Sequence, residues 1–528
     1  MHKTLRNWAA NLLLLVIPLL VIGLTEYTLR ALNIGEDLRL FVPARHNPDL
    51  MVVNQKAGKR FFSGGDFGSF GTQDMFRKIK PPGTLRIFAL GGSSTAGYPY
   101  MFSGSFPALL ETGLTRAYPT FDVEVINLGM TAVTSYTVLD LAREAIHQGP
   151  DLFVVYMGHN EFYGTLGSAS TQRIGGSYFL TWSYLNLSHF KLFQLFRGLL
   201  HRAVSSQGSP ADVEHRTLMA RMVGDEAIPL NSDLYLKTLD HFNRNLSRLI
   251  QLAAKYDIPI VIGTPVSNLS DQPPFVSLRD STAAGIDDLL IIASVQSAAG
   301  NYADAMETYE SVLRVDSTYA QIWYDYGQAL EALGRHTQAL QAYTCARDLD
   351  GLRFRASSDF IRLIEELGRS TEATVVNLDS ALVCRSQFHT IGEEYFLEHL
   401  HPNLEGYQEI ARAFAQTIID ERLLVPYVVP EISGAEVDYR DHVAVTGLDS
   451  VAANFRIRLL TAGWPFKARG RTLRAGDLPV HNKTEEIALK LISGELNYER
   501  AHVELATYQE NRGAIDAAVQ EYTVLTET

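Results

Sequence analysis

The chain has 528 residues, of which 46% are hydrophobic and 20% are charged. This length exceeds the roughly 250–300 residues at which one hydrophobic core stops growing, so the sequence predicts two or more domains. The composition excludes a chain that is disordered throughout. The formal net charge of -13 comes from scattered acidic residues. It argues against a nucleic-acid partner, which requires a clustered cationic surface.

The first thirty residues predict an uncleaved N-terminal membrane anchor. Lys3 and Arg6 precede an uncharged stretch over residues 8–25, and positive charge before an apolar run places the N-terminus in the cytoplasm. The alternative is a cleaved signal peptide, although no small-residue cleavage site follows the apolar run. We therefore expect a signal-anchor with one transmembrane helix over residues 1–30 and a juxtamembrane connector over 31–83. The rest of the chain is then periplasmic or otherwise extracytoplasmic.

From residue 84 onward, short apolar runs alternate with amphipathic stretches. The runs LRIFAL, VEVINLG, LFVVYMG and IPIVIGTP have the length of buried strands, and helical patterns separate them. This alternation predicts βαβ units and a mostly parallel sheet that helices cover on both faces, an α/β fold of three layers. The pattern occupies residues 84–284, stops, and resumes over residues 352–425.

An internal repeat interrupts the α/β pattern at residues 285–351. A glycine, an alanine and a tyrosine of the first copy recur in the second copy 34 positions later. The repeated residues are Gly300, Ala305 and Tyr309 in the first copy and Gly334, Ala339 and Tyr343 in the second. The insertion resembles tetratricopeptide (TPR) repeats, modules that bury their faces by stacking and are usually interaction surfaces. We therefore expect helices here and a protein partner that binds them.

A weaker third copy lies near the C-terminus, in residues 483–528. The residues that fit its template are Leu505, Ala506, Gly513, Ala518 and Tyr522. We expect a C-terminal helical region of TPR-like helices there, joined to the α/β domain by a connector over residues 426–482. The repeat aromatics Trp323, Tyr309 and Tyr343 are interpreted as packing residues and not as a ligand site.

The first predicted strand ends in LGGSSTAG, where glycines permit a sharp turn and a helix begins. Such a turn presents a hydroxyl at the carboxyl edge of a sheet, which makes Ser93 the candidate nucleophile. Ser94 is the alternative, but it is interpreted as a helix cap. A nucleotide-phosphate loop is excluded because no lysine closes the turn.

Three further motifs follow in chain order: VINLGMTAVTS, VVYMGHNEFYG and EHLHPNLEGY. Together with the serine turn they resemble the SGNH/GDSL hydrolase superfamily, whose four blocks supply serine, glycine, asparagine and histidine in this order. Ser93 matches the serine, Asn160 the asparagine and His401 the histidine. The resemblance implies a flavodoxin-like, three-layer α/β/α fold and a serine hydrolase activity.

Three positions depart from the pattern of this superfamily. Gly92 stands where the first block has an acidic residue, and Ala132 stands where the second block has its glycine. The second departure matters less, because the expected contribution is a backbone N–H, which alanine also has. The last block usually has an aspartate three residues before the histidine, and this chain has Glu398 there.

The matches imply a role for each residue. His401 takes the proton of Ser93, and Glu398 accepts the other ring N–H and stabilises the imidazolium. The Asn160 amide and the backbone N–H groups of Ser93 and Ala132 form the expected oxyanion hole. Loss of one such donor costs roughly 10²–10³ in turnover. A change of Asn160 is therefore expected to damage catalysis without unfolding the protein.

We therefore expect a membrane-anchored, extracytoplasmic serine esterase or acyltransferase that acts on O-acyl esters of an envelope component. The expected substrates are acylated polysaccharide, peptidoglycan or lipid, an inference from the predicted location and not from pocket residues. No residue cluster indicates a metal, and no cofactor is expected. Cys345 and Cys384 are too few for a disulfide framework, and the sequence leaves open whether they pair.

Two other functions are compatible with the sequence. The chain could be a scaffold or assembly factor whose repeats bind a partner and whose SGNH domain is inactive or accessory, because a fold does not guarantee an activity. It could also be a polysaccharide-binding protein with a vestigial site. Reaction of Ser93 with a fluorophosphonate separates the enzyme from both alternatives.

Overall fold

The computed structural model describes residues 2–62, 70–71, 73–205, 218–224, 227–279, 286–425, 428–433, 439, 445–470 and 472–526. In these ranges, eight strands form two sheets and nineteen α-helices pack around them. The predicted α/β architecture with a parallel sheet is present. One part of the predicted fold, the N-terminal transmembrane helix, is wrong.

The N-terminal helix α1 (His2–Ala31) is where the prediction of a membrane anchor fails. Within the described residues, no helix combines the length and the apolar content that a membrane crossing requires. The apolar run of α1 is short, and its last turns carry an ion pair of 2.6 Å between Glu26 and Arg30. Glu26 also accepts hydrogen bonds from the backbone N–H groups of Lys191 and Leu192, so α1 docks on a later helix. The same finding makes the predicted localisation as a single-pass membrane protein wrong.

A small antiparallel sheet follows α1. Its strands, in spatial order, are β1 (Phe41–Pro43), β2 (Leu50–Val53) and β3 (Met75–Arg77). Val42 lies opposite Val52, and Met51 lies opposite Phe76. The Phe76 ring packs edge-on against Phe88 of the main sheet at 5.8 Å. The small sheet therefore contributes to the core of the main domain.

The main sheet has five strands, and every neighbouring pair is parallel. The strands are β4 (Thr84–Gly91), β5 (Asp122–Asn127), β6 (Leu152–Tyr156), β7 (Ile260–Gly263) and β8 (Thr374–Val376). Their spatial order is β5-β4-β6-β7-β8. All eight residues of β4 are buried, as expected for a strand that helices cover on both faces.

Helices follow or connect these strands, and two further groups of helices lie outside the α/β alternation. In chain order, the helices after α1 are α2 (Ser93–Ala96), α3 (Phe106–Ala117), α4 (Ser135–Ala145), α5 (Tyr178–Ser188), α6 (Lys191–Ser205), α7 (Leu218–Met222), α8 (Asp233–Lys255), α9 (Asp287–Ala298), α10 (Tyr302–Leu313), α11 (Ala320–Ala332), α12 (His336–Leu349), α13 (Ser358–Ser370), α14 (Leu378–Arg385), α15 (Leu404–Asp420), α16 (Gly447–Thr461), α17 (Lys483–Ile492), α18 (Tyr498–Asn511) and α19 (Ile515–Thr523).

Alternate side chains of β4 enter two different cores, because successive residues of a strand point to opposite faces. Ile87 and Ala89 pack in the cluster that contains α3 and α15. Phe88 and Leu90 pack in the cluster that contains α4, α8 and α13. The sheet is thus the middle of three layers, and the loops that leave the carboxyl ends of its strands meet at one edge.

The inserted helices α9 to α12 form two antiparallel pairs between β7 and β8. Both pairs turn at a glycine in the left-handed region, with φ of 78° at Gly300 and 73° at Gly334. A Cβ atom at Gly327 would lie 2.7 Å from the Tyr343 ring, so the glycine allows α11 and α12 to pack closely. Ala305 is fully buried at the corresponding interface of the first pair.

The C-terminal helices α16 to α18 share a hydrophobic cluster of their own. Helix α16 lies within the stretch that the sequence analysis assigns to a connector. The pair α18 and α19 turns at Gly513, whose φ of 78° matches the glycines of the insertion. His502 of α18 is fully buried between carboxylates of Asp449 and Glu521. The domain boundaries drawn from the sequence stay predictions.

Candidate active site

The turn between β4 and α2 presents Ser93 at the carboxyl edge of the sheet. A Cβ atom at Gly91 would lie 2.1 Å from the Tyr156 carbonyl oxygen, so only glycine fits beside β6. Gly92 is extended and begins α2, which makes Ser93 the first helical residue. Thr95 ties this short helix to the sheet by donating its hydroxyl to the same Tyr156 oxygen at 3.1 Å.

Ser93, His401 and Glu398 form one hydrogen-bonded line. The Ser93 Oγ lies 2.8 Å from the His401 Nε2, although 308 positions separate the two residues. The His401 Nδ1 lies 2.5 Å from Glu398 Oε1, which also accepts the His401 backbone N–H at 2.8 Å. A carboxylate only accepts hydrogen bonds, so the imidazole proton is on Nδ1 and the Ser93 hydroxyl donates to Nε2. This is the order of groups that a serine nucleophile needs.

His401 is held ready to act as a base. It is 8% exposed, and burial lowers its pKa below the ordinary value of 6.5. The imidazole is therefore neutral at neutral pH and free to accept a proton. Its position is fixed by the chain that follows it, because the Asn403 side chain caps α15 by accepting the Gly406 N–H.

A second histidine shares the Glu398 carboxylate. The His399 Nδ1 contacts Glu398 Oε2, and the His399 backbone N–H donates to the same oxygen at 2.8 Å. Burial and the neighbouring His401 keep the pKa of His399 well below 6.5. Both oxygens of Glu398 are thus used, one by each histidine. Of these two histidines, His401 is the one that contacts Ser93.

The three expected oxyanion donors lie on the segments that follow β4, β5 and β6. Ala132 has a φ of 55°, in the left-handed region that favours glycine. A Cβ atom at Gly92 would lie 3.1 Å from the Asn160 Nδ2, which places that amide beside the turn. Within the described chain, neither the backbone N–H groups of Ser93 and Ala132 nor the Asn160 amide has a hydrogen-bond acceptor.

Buried polar residues hold the loops that carry these donors. The Asn127 amide donates to the Thr95 carbonyl at 2.9 Å, and its oxygen accepts the Gly129 N–H at 2.8 Å. Glu161, next to Asn160, accepts the backbone N–H and the hydroxyl of Ser135, each at 2.8 Å. Burial raises the pKa of Glu161 to about 7, against these two hydrogen bonds.

The alternatives to the proposed serine and histidine lie elsewhere. Ser94 is buried within α2, and the contact to His401 is made by Ser93. The His159 Nδ1 accepts the Ala356 backbone N–H at 3.2 Å, so this histidine supports the loop before α13. Among the described residues, no group of three or more His, Cys, Asp or Glu side chains could hold a metal ion. Cys345 and Cys384 are both free thiols.

Three side chains near the site were not identified from the sequence. The Tyr98 ring packs against the His401 ring at 4.6 Å. Arg456 of α16 donates to the Pro99 carbonyl, and the Phe466 ring lies 5.3 Å from the His399 ring. Tyr98 follows Ser93 by five positions and could have been noticed, but no local pattern marks Arg456 or Phe466. The catalytic roles assigned from the sequence stay predictions.

Comparison with known proteins finds one matching family and several similar solved structures. Residues 297–344 match the tetratricopeptide repeat family. No curated protein matches the chain. Solved structures similar to this chain include a lipase/acylhydrolase from Enterococcus faecalis, with 15% identity and a TM-score of 0.29, over 63% of this chain and 95% of that one.

Two further solved structures belong to the same group of matches. An acetylxylan esterase from Geobacillus stearothermophilus has 13% identity and a TM-score of 0.30, over 65% of this chain and 96% of that one. A GDSL-like lipase from Bacteroides thetaiotaomicron has 11% identity and a TM-score of 0.26, over 64% of this chain and 88% of that one. The tetratricopeptide repeats predicted for the insertion are confirmed by the match over residues 297–344.

Proposed function

We propose that the protein is a serine esterase or acyltransferase that acts on O-acyl esters through Ser93, His401 and Glu398. The observation that carries this proposal is the continuous hydrogen-bonded line from the Ser93 hydroxyl through His401 to Glu398, with distances of 2.8 Å and 2.5 Å. A serine is a weak nucleophile until a neighbouring base takes its proton. The neutral, buried imidazole supplies that base.

The reaction proceeds in two halves. His401 takes the Ser93 proton as Oγ attacks the ester carbonyl carbon, and the carbonyl oxygen becomes an oxyanion that the Asn160 amide and two backbone N–H groups stabilise. The tetrahedral intermediate then expels the alcohol, which receives its proton from His401, and the acyl group stays on Ser93. Water or a second hydroxyl group, deprotonated by His401, attacks the acyl-enzyme, and the Ser93 oxygen leaves with the proton that His401 returns. Water gives hydrolysis and a hydroxyl acceptor gives acyl transfer.

A fluorophosphonate probe tests whether Ser93 is an activated nucleophile. The probe reacts with serines that a base activates, so we expect the purified chain to be labelled and Ser93→Ala to abolish labelling. Ser94→Ala is the matched control, because it removes the neighbouring hydroxyl and leaves the line to His401 intact. A folded protein that stays unlabelled, or labelling that survives Ser93→Ala, would contradict the proposal.

The substrate is proposed as a class, an O-acyl ester on polysaccharide, peptidoglycan or lipid. Incubation with an O-acetylated polysaccharide, O-acetylated peptidoglycan and a lipid ester measures which of the three releases a free acid in a Ser93-dependent way. Addition of a deacylated acceptor distinguishes transfer from hydrolysis, since transfer moves the acyl group to the acceptor without free acid. Release from none of the three substrates would remove this substrate proposal but not the activated serine.

A second function, binding of a protein partner, is proposed for the inserted repeats. Its supporting observation is the outer face of α9, where Ile291 and Val295 are 63% and 64% exposed. Stacked helical repeats normally cover such faces with a further helix or a partner. If the folded chain resists the fluorophosphonate probe, a scaffold with an inactive hydrolase domain becomes the better account.

A further inference from the structure

The loop after helix α2, residues 98–102, contacts both Ser93 and His401. The Tyr98 backbone N–H donates to the Ser93 carbonyl at 3.0 Å, and the Tyr98 ring lies against the His401 ring at 4.6 Å with an interplanar angle of 55°. The Tyr407 hydroxyl donates to the Tyr98 carbonyl at 2.5 Å, which ties the loop to α15. The inner side of this loop therefore belongs to the catalytic domain.

The outer side of the same loop is held by the C-terminal helices. The Arg456 guanidinium of α16 donates to the Pro99 carbonyl at 2.6 Å. The Tyr98 hydroxyl donates to the Arg456 carbonyl at 3.2 Å, so Arg456 both donates to this loop and accepts from it. Four positions further along the loop, Phe102 stacks on Tyr498 of α18 at 3.9 Å.

The segment after α16 makes a separate contact on the other side of Glu398. The Phe466 ring packs edge-on against His399 at 5.3 Å and against Phe275 at 5.2 Å. His399 in turn contacts the second oxygen of Glu398. Each histidine that touches Glu398 is thus covered by an aromatic ring, and the C-terminal region either supplies that ring or anchors it.

We propose that the C-terminal helical region completes the active site, with Arg456 and Tyr98 as positioning residues that hold the His401 imidazole in line with Ser93. This inference rests on the proposed function of Ser93 and His401. The Arg456 side chain is partly buried. Withdrawing a guanidinium from water is costly unless its donors find acceptors, so its hydrogen bond to a backbone carbonyl beside the nucleophile fixes that loop. Small misplacement of a catalytic group, of about 1 Å, can cost 10²-fold in rate.

The Tyr98 ring has a second effect, because it keeps water away from the imidazole. The titratable groups that face His401 are Glu398, His399, His159 and Tyr98 itself. Of these, Tyr98 is the one held in place by α16. Removal of its ring is expected to expose His401 to water and to move its pKa up toward 6.5, because burial is what lowers it.

Five single variants of the full chain test this proposal. Tyr98→Ala removes the ring, and Tyr98→Phe removes only the hydroxyl that reaches α16. Arg456→Ala removes the contact to Pro99, Arg456→Lys restores a cation, and Arg458→Ala is the matched control, an exposed arginine two positions along the same helix. The measurements are kcat and KM for 4-nitrophenyl acetate and the pKa of His401 from ¹³C-histidine NMR. The His401 signal is assigned by its loss in His401→Gln.

We expect Tyr98→Ala to lower kcat by about 10²-fold and Arg456→Ala by about 10-fold, with KM within about twofold of wild type. Tyr98→Ala should raise the His401 pKa, Arg456→Lys should recover part of the lost rate, and Arg458→Ala should change nothing. The proposal is overturned if Tyr98→Ala and Arg456→Ala behave like Arg458→Ala in both measurements. A wild-type chain without esterase activity would refute the proposed function instead, and the NMR comparison would still decide whether α16 positions His401.

Discussion

The catalytic edge of the sheet and the helical regions that flank it bury different kinds of side chain. At the edge, Ser93, His401, Glu398 and His399 are each less than 10% exposed, and burial keeps both imidazoles neutral. In the insertion, most buried positions are apolar, such as Ala339 and Tyr343. The edge thus concentrates buried ionisable groups, and the repeats bury mainly apolar surface.

This difference separates residues kept for chemistry from residues kept for packing. Burying an ionisable group costs stability, and we attribute the polar cluster at the sheet edge to the proposed action on a substrate. Burying an alanine or a tyrosine ring stabilises the fold directly. Substitutions at the edge should therefore reduce activity more than stability, and substitutions in the repeats should do the reverse.

The largest effect is expected from Glu398→Gln. The amide can place an N–H toward His401 and favours the wrong imidazole tautomer, so we expect kcat to fall on the order of 10⁴-fold. Urea unfolding followed by circular dichroism should show a folded protein. Glu394→Gln is the control, since Glu394 is exposed four positions earlier. Activity close to wild type in Glu398→Gln would mean that Glu398 does not orient the base.

The converse effect is expected from Tyr343→Ala in the insertion. The ring is 1% exposed and packs over Gly327 and Tyr324, and its hydroxyl donates to Glu331 at 2.7 Å. Truncation of a buried aromatic ring costs about 3–5 kcal/mol, which urea unfolding measures. The folded fraction should keep its kcat. Tyr302→Ala, at a 36% exposed tyrosine of α10, should lose less than about 0.5 kcal/mol.

A different outcome for Tyr343→Ala would contradict this separation between residues that affect activity and residues that affect stability. A fall in kcat as large as the one expected for Tyr98→Ala would show that the insertion also supports the catalytic edge. The structure offers one path for such an effect, since the Tyr324 hydroxyl donates to the Ser270 carbonyl at 2.7 Å. The neighbouring Asn268 N–H donates to the His399 carbonyl at 3.0 Å.

The elements predictable from the sequence are those that local pattern and spacing determine. Strand β4, the glycine turn at Ser93 and the helix after it follow from alternating hydrophobicity and turn chemistry. Glu398 and His401 are three positions apart, so their contact is local. The 34-residue spacing of Gly300 and Gly334 likewise marks two equivalent turns.

The features that could not be predicted from the sequence depend on contacts between distant residues or on whether an apolar run is long enough to cross a membrane. The Tyr98–Arg456 contact joins residues 358 positions apart, and nothing near Arg456 resembles a site motif. Helix α16 reads as a connector because its charged and apolar residues form no clear stripe. At the N-terminus, positive charge before an apolar run suggested a membrane anchor, but charge order says nothing of whether the run is long enough.

The smallest effect is expected from His502, a histidine that the C-terminal helices bury as a cation. Burial opposes the charge on His502, but the Asp449 carboxylate 3.4 Å from its Nε2 and the Glu521 carboxylate 2.6 Å from its Nδ1 raise its pKa to about 9. Its stabilising contribution is therefore complete below pH 6.5 and is lost as pH rises through about 9. The unfolding free energy should fall by about 1.4 kcal/mol per pH unit across this interval.

Urea unfolding at about pH 6.5, 7.5 and 8.5 measures that slope, and His502→Gln should flatten it while lowering stability at pH 6.5.

The activity of the catalytic edge should instead depend on pH in the acid range. Because the pKa of His401 lies below 6.5, kcat/KM stays level over these same conditions and falls only on the acid side, where the base becomes protonated. If esterase activity and stability instead declined together between pH 6.5 and 8.5, the protonation of His502 would be coupled to the catalytic edge. The stacked rings of His502, Tyr498 and Phe102 would be the path, with ring separations of 4.2 Å and 3.9 Å.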